Sequence, residues 1–112
     1  MKKILVVNND LDTMSLLKSW LERKAYKVKY TGDRNVVTDL VKEFNPKVVL
    51  VDVLQKEVVE QLKSDNETRT IPVLLMTGYT LRQKVPQVPA DDIIEKPFNL
   101  NLLEKKIEKL IA

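Results

Sequence analysis

The segment that most constrains the fold is Lys47-Val48-Val49-Leu50-Val51-Asp52-Val53, an uninterrupted apolar run with a single carboxylate near its end. The run shows no alternation of apolar and polar residues, which predicts a strand buried on both faces. Pro46 precedes it, and proline is accepted at the start of a strand but not in its middle. Ligands of open parallel sheets bind at the carboxyl ends of the strands, so Asp52 is a candidate site residue. The position also suits a carboxylate that only ends the strand or caps the next helix.

The composition narrows the class of protein. A chain of 112 residues suffices for one domain, and 44% hydrophobic with 31% charged residues is ordinary for a globular protein. The net charge of +3 comes without a dense basic patch, so we expect no direct nucleic-acid binding. The absence of cysteine and histidine excludes disulfides and a histidine phosphoacceptor and fits a cytoplasmic protein. No apolar run is long enough to span a bilayer, so we expect no membrane association.

Five segments have the apolar pattern of strands. They are residues 4–7, 27–31, 47–53, 72–77 and 92–95. Residues 27–31 alternate between polar and apolar side chains, which suits an edge strand with one face in water. Most of the others are uninterrupted runs, which predicts that helices cover both faces of the sheet.

Helical spacing of apolar residues fills most of the segments between these strands. Asp10 or Asp12 can cap the first helix, and residue preferences favour a cap over a metal ligand for Asp12. The later helices are predicted at residues 36–44 and 56–64, with a last one that begins at Asn99 or Asn101 and runs to Ala112. The predicted buried stripes include Leu16, Val36 and Leu102. Residues 80–90 contain Pro86 and Pro89, so a fourth helix there should be short or broken. This order of elements predicts a doubly wound parallel α/β sheet.

Polar residues follow the predicted strands at their carboxyl ends. They are Asn8 and Asn9 after the first strand, Asp52 on the third, Thr77 on the fourth and Lys96 after the fifth. A doubly wound sheet brings these ends to one edge, where a carboxylate, a hydroxyl and an ammonium group would converge. Such a set predicts a site that handles an oxyanion. The chain has only two glycines and no glycine-rich phosphate loop, so a nucleotide cofactor is not expected.

Four motifs occur in order along the chain. They are Lys3-Ile4-Leu5-Val6-Val7-Asn8-Asn9-Asp10, Val49-Leu50-Val51-Asp52, Met76-Thr77-Gly78 and Glu95-Lys96-Pro97-Phe98. Together they resemble the receiver domain of response regulators in two-component signalling, and the resemblance covers essentially the whole chain. It implies one flavodoxin-like domain over residues 1–112, with five parallel strands in the order 2-1-3-4-5. It also implies a cytoplasmic signalling module that is not an enzyme, either a stand-alone domain or one cut from a larger chain.

The resemblance assigns a role to three of the strand-end residues. Asp52 occupies the position of the aspartate that accepts a phosphoryl group from a phosphohistidine or a small phosphodonor. Thr77 matches the hydroxyl that follows the phosphoryl group and couples it to movement of the surface. Lys96 matches the lysine that pairs with the phosphoryl oxygens.

The metal site departs from the family pattern. Asn8 and Asn9 stand where the family usually has two acidic residues that hold Mg²⁺, and asparagine brings no charge. Mg²⁺ is usually held by one or two carboxylates, so we predict weak or absent Mg²⁺ binding. The ligands that the resemblance implies are Asn9, Asp52 and the backbone carbonyl of Leu54, with Asn8 or Asp10 as further candidates.

Two further departures concern signal output. Residues 53–57 enter a helix almost directly after Asp52, where the family has a longer loop, and Ile93 stands at the position of a rotating aromatic side chain. Two main functions therefore stay open, beside a small-ligand site on a flavodoxin-like sheet. The first is a receiver that accepts a phosphoryl group on Asp52 in a phosphorelay, and the second is a pseudo-receiver that binds proteins independently of phosphorylation. The implied partners are a histidine kinase or phosphotransfer protein, an output domain or partner protein, and a second copy of the chain in a homodimer.

Overall fold

The computed structural model describes residues 2–78, 88–97 and 99–112. The strands are β1 (Lys2–Val7), β2 (Tyr26–Thr31), β3 (Val48–Asp52), β4 (Val73–Thr77) and β5 (Asp92–Glu95). The α-helices of this part are α1 (Leu11–Arg23), α2 (Val37–Phe44), α3 (Glu57–Ser64) and α4 (Leu100–Ile111), and short 3-10 helices occupy Arg34–Val36 and Val53–Gln55. The short or broken helix predicted in residues 80–90 falls largely on 79–87, outside the described residues, as does Phe98.

All neighbouring strands are parallel, in the order β2-β1-β3-β4-β5. The predicted doubly wound sheet and its strand order are therefore confirmed, with β2 at one edge. Every residue of β3 and β4 is buried, as their uninterrupted apolar runs indicate. The register places Asp52 beside Met76 and Thr77 beside Glu95, so the carboxyl ends of these central strands lie together.

Alternate residues of the strands point to opposite faces of the sheet. Helices cover both faces, so each face has its own core. Ile4 and Val6 pack in one core with side chains of α1 and α4, including Leu17 and Leu103. Leu5 and Val7 of β1 point to the opposite face and pack in the second core with side chains of α2 and α3. None of the helices in the described part of the chain is long and apolar enough to cross a membrane.

Two α-helices in the described part of the chain begin at residues whose side chains cap the helix N-terminus. Asp10 has extended backbone geometry, and its carboxylate accepts hydrogen bonds from the Asp12 amide at 3.1 Å and the Thr13 hydroxyl at 2.7 Å. The prediction that Asp12 is the cap is wrong, because Asp12 already lies within the first helical turn. Asn99 caps α4 by accepting a hydrogen bond from the Leu102 amide at 3.1 Å, which is one of the two predicted positions.

Three apolar residues predicted to be buried are exposed, namely Leu16, Val36 and Leu102. The buried side chains of α1 are Met14, Leu17, Trp20 and Leu21, and this stripe leaves Leu16 outside. Val36 lies in the 3-10 helix before α2 rather than in α2 itself. The buried stripes are therefore narrower than the sequence pattern indicated.

Candidate functional site

A pocket of about 320 Å³ lies at the carboxyl edge of the sheet. Its lining residues come from the loop after β1, the end of β3 with the 3-10 helix that follows, and the residue directly after β5. They are Asn8, Asn9, Asp10, Asp52, Leu54, Gln55 and Lys96. The parallel sheet thus brings together most of the strand-end residues that the sequence singled out.

The side chains of Asp52 and Lys96 form the charged centre of the pocket. Asp52 is 3% exposed, and the ammonium group of Lys96 donates a hydrogen bond to its Oδ1. The backbone amide of Lys96 donates to the carbonyl of Thr77 at 2.8 Å, which anchors the lysine to the end of β4. The Lys96–Pro97 peptide bond is cis. Burial of a carboxylate without a partner is costly, so the Lys96 ammonium group stabilises the buried position of Asp52.

The second oxygen of Asp52 has a structural partner. Oδ2 accepts a hydrogen bond from the Leu54 amide at 2.9 Å, and Asp52 thereby caps the 3-10 helix Val53–Gln55. The interpretation of this carboxylate as a helix cap is therefore confirmed, and its role as a site residue stays a prediction. The Leu54 side chain is exposed, although Leu54 also lines the pocket.

Asn8 presents an unusual polar group. Its Oδ1 accepts a hydrogen bond from the Asp10 amide at 2.8 Å, which fixes which end of the carboxamide is oxygen. Asn8 is 2% exposed, and its Nδ2 finds no hydrogen-bond partner among the described residues. An unsatisfied buried donor is energetically unfavourable. The uncommitted polar atom of Asn8 is thus a donor, whereas a metal ligand would have to be an acceptor.

Asn9 and Gln55 converge on Gly32 in the turn after β2. Asn9 Oδ1 lies 2.5 Å from the position that a Cβ on Gly32 would take, so glycine is what gives the Asn9 carboxamide its space. Gln55 is buried, and its Nε2 donates to the Gly32 carbonyl at 3.4 Å. The sequence reasoning missed Gln55. Its position three residues after Asp52, at the end of a helical turn that starts there, is the signal that could have placed it beside the carboxylate.

The carboxylate of Asp10 is committed to the N-terminus of α1. A hydrogen bond from the Thr13 hydroxyl is the largest cause that lowers the pKa of Asp10 below its ordinary value, and the Asp12 amide acts in the same direction. Asp10 is exposed at the rim of the pocket. It therefore stays ionised but serves as a helix cap.

The polar groups do not fit a Mg²⁺ ion of the kind that the family resemblance implies. Asp52 is paired with Lys96, Asp10 caps α1, and Asn8 and Asn9 bring no charge. Nowhere in residues 2–78, 88–97 and 99–112 do three or more His, Cys, Asp or Glu side chains form a group that could hold a metal ion. Mg²⁺ is usually held through one or two carboxylates, and the two carboxylates of this pocket already have internal partners, so the set fits the ion poorly.

Thr77 and Ile93 lie apart from the pocket lining. Thr77 is buried at the end of β4, one residue beyond Met76, which is the strand neighbour of Asp52. Its hydroxyl does not line the pocket, although its carbonyl holds the Lys96 amide. Ile93 lies on β5 beside Leu75 and packs, partly buried, against the core of the α2 and α3 face.

Sequence comparison places the chain among response regulators. The family model "Response regulator receiver domain" matches residues 4–108. The transcriptional regulatory protein CpxR of Escherichia coli is 32% identical over 116 residues, which cover 99% of this chain and 50% of CpxR. The chain thus spans about half the length of this relative. The polar-differentiation response regulator DivK of Brucella anthropi is 26% identical, and the match covers 88% of this chain and 87% of DivK.

Solved structures share the fold. The signal receiver domain of a signal transduction histidine kinase from Syntrophus aciditrophicus has a TM-score of 0.87 at 25% identity, covering 99% of this chain and 90% of that one. The receiver domain of a sensor histidine kinase from Pseudomonas aeruginosa, with a magnesium ion in its active site cleft, has a TM-score of 0.87 at 19% identity, covering 98% and 97%. With the family match over most of its length, this chain belongs to the response regulator receiver domains of two-component signalling.

Proposed function

We propose that residues 1–112 form one receiver domain that accepts a phosphoryl group on Asp52. The observation that carries this proposal is the ion pair between the buried Asp52 carboxylate and the Lys96 ammonium group at the pocket. The phosphoryl donor would be a histidine kinase or a phosphotransfer protein. The signal would pass to an output domain or a partner protein.

The proposed reaction is a displacement at phosphorus. One carboxylate oxygen of Asp52 forms the new P–O bond while the P–N bond of the phosphohistidine breaks. The other ring nitrogen of the phosphohistidine carries a proton, so the electron pair of that bond leaves with the imidazole and the ring departs neutral. The Lys96 ammonium group, already at the carboxylate, pairs with the phosphoryl oxygens, and a fixed cation at developing negative charge lowers the barrier.

Thr77 has the supporting role in this proposal. Its carbonyl accepts the Lys96 amide, so a shift of Lys96 towards a phosphoryl group would also act on the end of β4. The Thr77 hydroxyl would then follow the phosphoryl group and transmit the change to the surface. Ile93 replaces the aromatic reporter of the family, so we propose that output does not use an aromatic swing.

We further propose that Mg²⁺ binding by this chain is weak or absent. The candidate ligands remain Asn9, Asp52 and the Leu54 carbonyl, with Asn8 or Asp10 in addition. Of these, only Asp10 and Asp52 carry charge, and both carboxylates already have internal partners. The proposed reaction therefore includes no step that uses a bound metal ion.

The proposal is tested by intact mass spectrometry after incubation with acetyl phosphate or phosphoramidate. We expect a gain of one phosphoryl group that is absent in Asp52→Asn. Asp39→Asn is the matched control, since Asp39 is an exposed carboxylate of α2. Failure of the wild-type protein to gain a phosphoryl group at high donor concentration, with or without Mg²⁺, would contradict the proposal.

The second candidate function is a pseudo-receiver, a protein-binding module independent of phosphorylation. The observation that favours it is the poor fit of the pocket to Mg²⁺. In this case no adduct forms under any condition, and Asp52→Asn binds its partner protein as the wild-type protein does. An Asp52-dependent adduct that changes partner affinity would rule this function out.

A further inference from the structure

We propose that N–H donors take the place of a divalent cation in this pocket, so that Asp52 accepts a phosphoryl group without metal. This inference rests on the proposed function and concerns the metal requirement of the same site. The donors are the carboxamides of Asn8, Asn9 and Gln55 and the ammonium group of Lys96. Three independent features of the pocket support the assignment.

The first feature is the unsatisfied donor of Asn8. Its Oδ1 is held by the Asp10 amide, so the carboxamide cannot turn its oxygen outward without losing that hydrogen bond. Its Nδ2 is buried and has no partner among the described residues. Native proteins rarely leave such a donor unpaired, and an incoming oxygen ligand satisfies it. A phosphoryl oxygen is an acceptor of this kind, whereas a metal ion is not.

The second feature is the orientation of the other two carboxamides. The Oδ1 of Asn9 lies beside Gly32, and no hydrogen bond to the described residues holds either end of this exposed carboxamide, so its NH₂ group is available as a donor. The Nε2 of Gln55 makes only a 3.4 Å hydrogen bond to the Gly32 carbonyl, at the long limit for such bonds. Both groups line the pocket and are able to donate to an anion within it.

The third feature is the charge of the pocket. Asp52 and Lys96 carry opposite charges, and Asp10 at the rim, which caps α1, adds one negative charge. Carboxylates in place of Asn8 and Asn9 would add two negative charges, which is the amount that one Mg²⁺ offsets. The carboxamides avoid those two added negative charges, which lessens the repulsion that an approaching phosphoryl dianion meets.

The test compares phosphoryl transfer from phosphoramidate in excess EDTA and in MgCl₂, followed by intact mass. The Asp52 carboxylate forms the new P–O bond, and the P–N bond breaks. Its electron pair leaves with ammonia, because phosphoramidate already carries the proton on nitrogen. We expect the two initial rates to agree within about twofold, whereas a site that relies on a cation for charge stabilisation loses on the order of a hundredfold without it.

Each outcome decides between the two proposals. Similar rates in EDTA and in MgCl₂ support the inference. Adduct formation that depends on MgCl₂ overturns it and leaves the proposed function standing. No adduct in either buffer overturns both. This comparison uses only the wild-type protein, so it does not depend on how well a variant folds.

A variant pair gives a second reading of the same inference. The double substitution Asn8→Asp with Asn9→Asp should slow the reaction in EDTA by about tenfold or more, and MgCl₂ should restore it. Asn99→Asp is the matched control, since it adds a carboxylate at a helix cap outside the pocket. In addition, the side-chain amide resonances of Asn8 in ¹⁵N-labelled protein, identified by their loss in Asn8→Asp, should shift on phosphorylation in EDTA. Unchanged resonances in phosphorylated protein would contradict the role of Asn8.

Discussion

The ammonium group of Lys96, directly after β5, pairs with the buried carboxylate of Asp52 at the end of β3. The two residues lie 44 positions apart in sequence. Strand β4 separates β3 from β5, and its last residue, Thr77, holds the backbone of Lys96 through a hydrogen bond of 2.8 Å. The pair therefore depends on the parallel sheet. It contributes to the stability of the domain and lies at the site of the proposed phosphoryl transfer.

Removal of the Lys96 charge should leave Asp52 as a buried carboxylate with one partner fewer. We expect Lys96→Met, which retains most of the aliphatic stem, to lower the free energy of unfolding by about 1–3 kcal/mol at neutral pH. Urea denaturation measures the change. Lys105→Met on the exposed face of α4 is the matched control. Adding Asp52→Asn to Lys96→Met should recover part of the loss, and no recovery would contradict a cost that arises from the carboxylate.

Gly32 should tolerate no side chain without displacing Asn9. A Cβ at Gly32 would lie 2.5 Å from Asn9 Oδ1 and 3.2 Å from the Asn8 carbonyl. We expect Gly32→Ala to destabilise the protein by about 1 kcal/mol and to slow phosphorylation, because it pushes the Asn9 carboxamide out of place. Gly78→Ala is a suitable control, since a Cβ there meets no atom of the described residues within 4 Å. Equal stability and equal phosphorylation rates in the two variants would contradict this role of Gly32.

Charge added at position 9 should create a metal site. A unit charge about 4 Å from a cation is worth roughly 4 kcal/mol near a protein surface, and recovery of one third of that raises affinity about tenfold. Asn9→Asp should therefore bind Mg²⁺ about tenfold more tightly than the wild-type protein in a calorimetric titration. Asn66→Asp, in the exposed segment after α3, controls for the added charge alone. Equal affinities in wild type and Asn9→Asp would show that the missing carboxylate does not limit Mg²⁺ binding.

The cap of α1 should make stability sensitive to acid. The pKa of Asp10 lies below its ordinary value of 3.8, chiefly because the Thr13 hydroxyl donates to the carboxylate. Because the pKa of Asp10 is lowered in the folded state, the stabilisation that its carboxylate provides is complete above about pH 4. It is lost as the pH falls through the pKa of the folded state. The melting temperature of the wild-type protein relative to Asp10→Asn should therefore decline as the pH falls below 4.

Thr13→Val provides the comparison for Asp10. It removes the largest cause of the lowered pKa, so the acid-induced loss should begin at a higher pH than in the wild-type protein. Carboxylates titrate roughly between pH 3 and pH 6. If the difference in melting temperature between wild type and Asp10→Asn stays constant over that range, the result would contradict the role of the Asp10 carboxylate.

The sheet was predictable because its constraints are local. Runs such as Val48–Val51 lack polar alternation, and a strand of this kind is stable only when both faces are covered. Once the sheet is parallel and doubly wound, the positions of Asn8, Asp52 and Lys96 at one edge follow from the strand order. This part of the candidate site required no knowledge of side-chain packing.

The remaining features depend on contacts that the sequence does not reveal. Asp10 rather than Asp12 caps α1 because the loop after β1 is set by the hydrogen bond between Asn8 Oδ1 and the Asp10 amide. Gln55 turns back to the pocket because Gly32 presents a carbonyl from a distant turn. Leu16 is exposed because it lies outside the buried stripe of α1, and a helical stripe does not reveal its own width. Each of these outcomes results from tertiary contact rather than residue preference.

The most direct test of phosphoryl acceptance is identification of the modified residue. The protein is treated with phosphoramidate in EDTA, reduced with borohydride, which converts an aspartyl phosphate to homoserine, and digested for tandem mass spectrometry. We predict homoserine at position 52 in the treated sample and aspartate there in the untreated one. Homoserine at another carboxylate such as Asp10, or an unmodified Asp52 after treatment, would contradict the assignment of Asp52 as the phosphoacceptor.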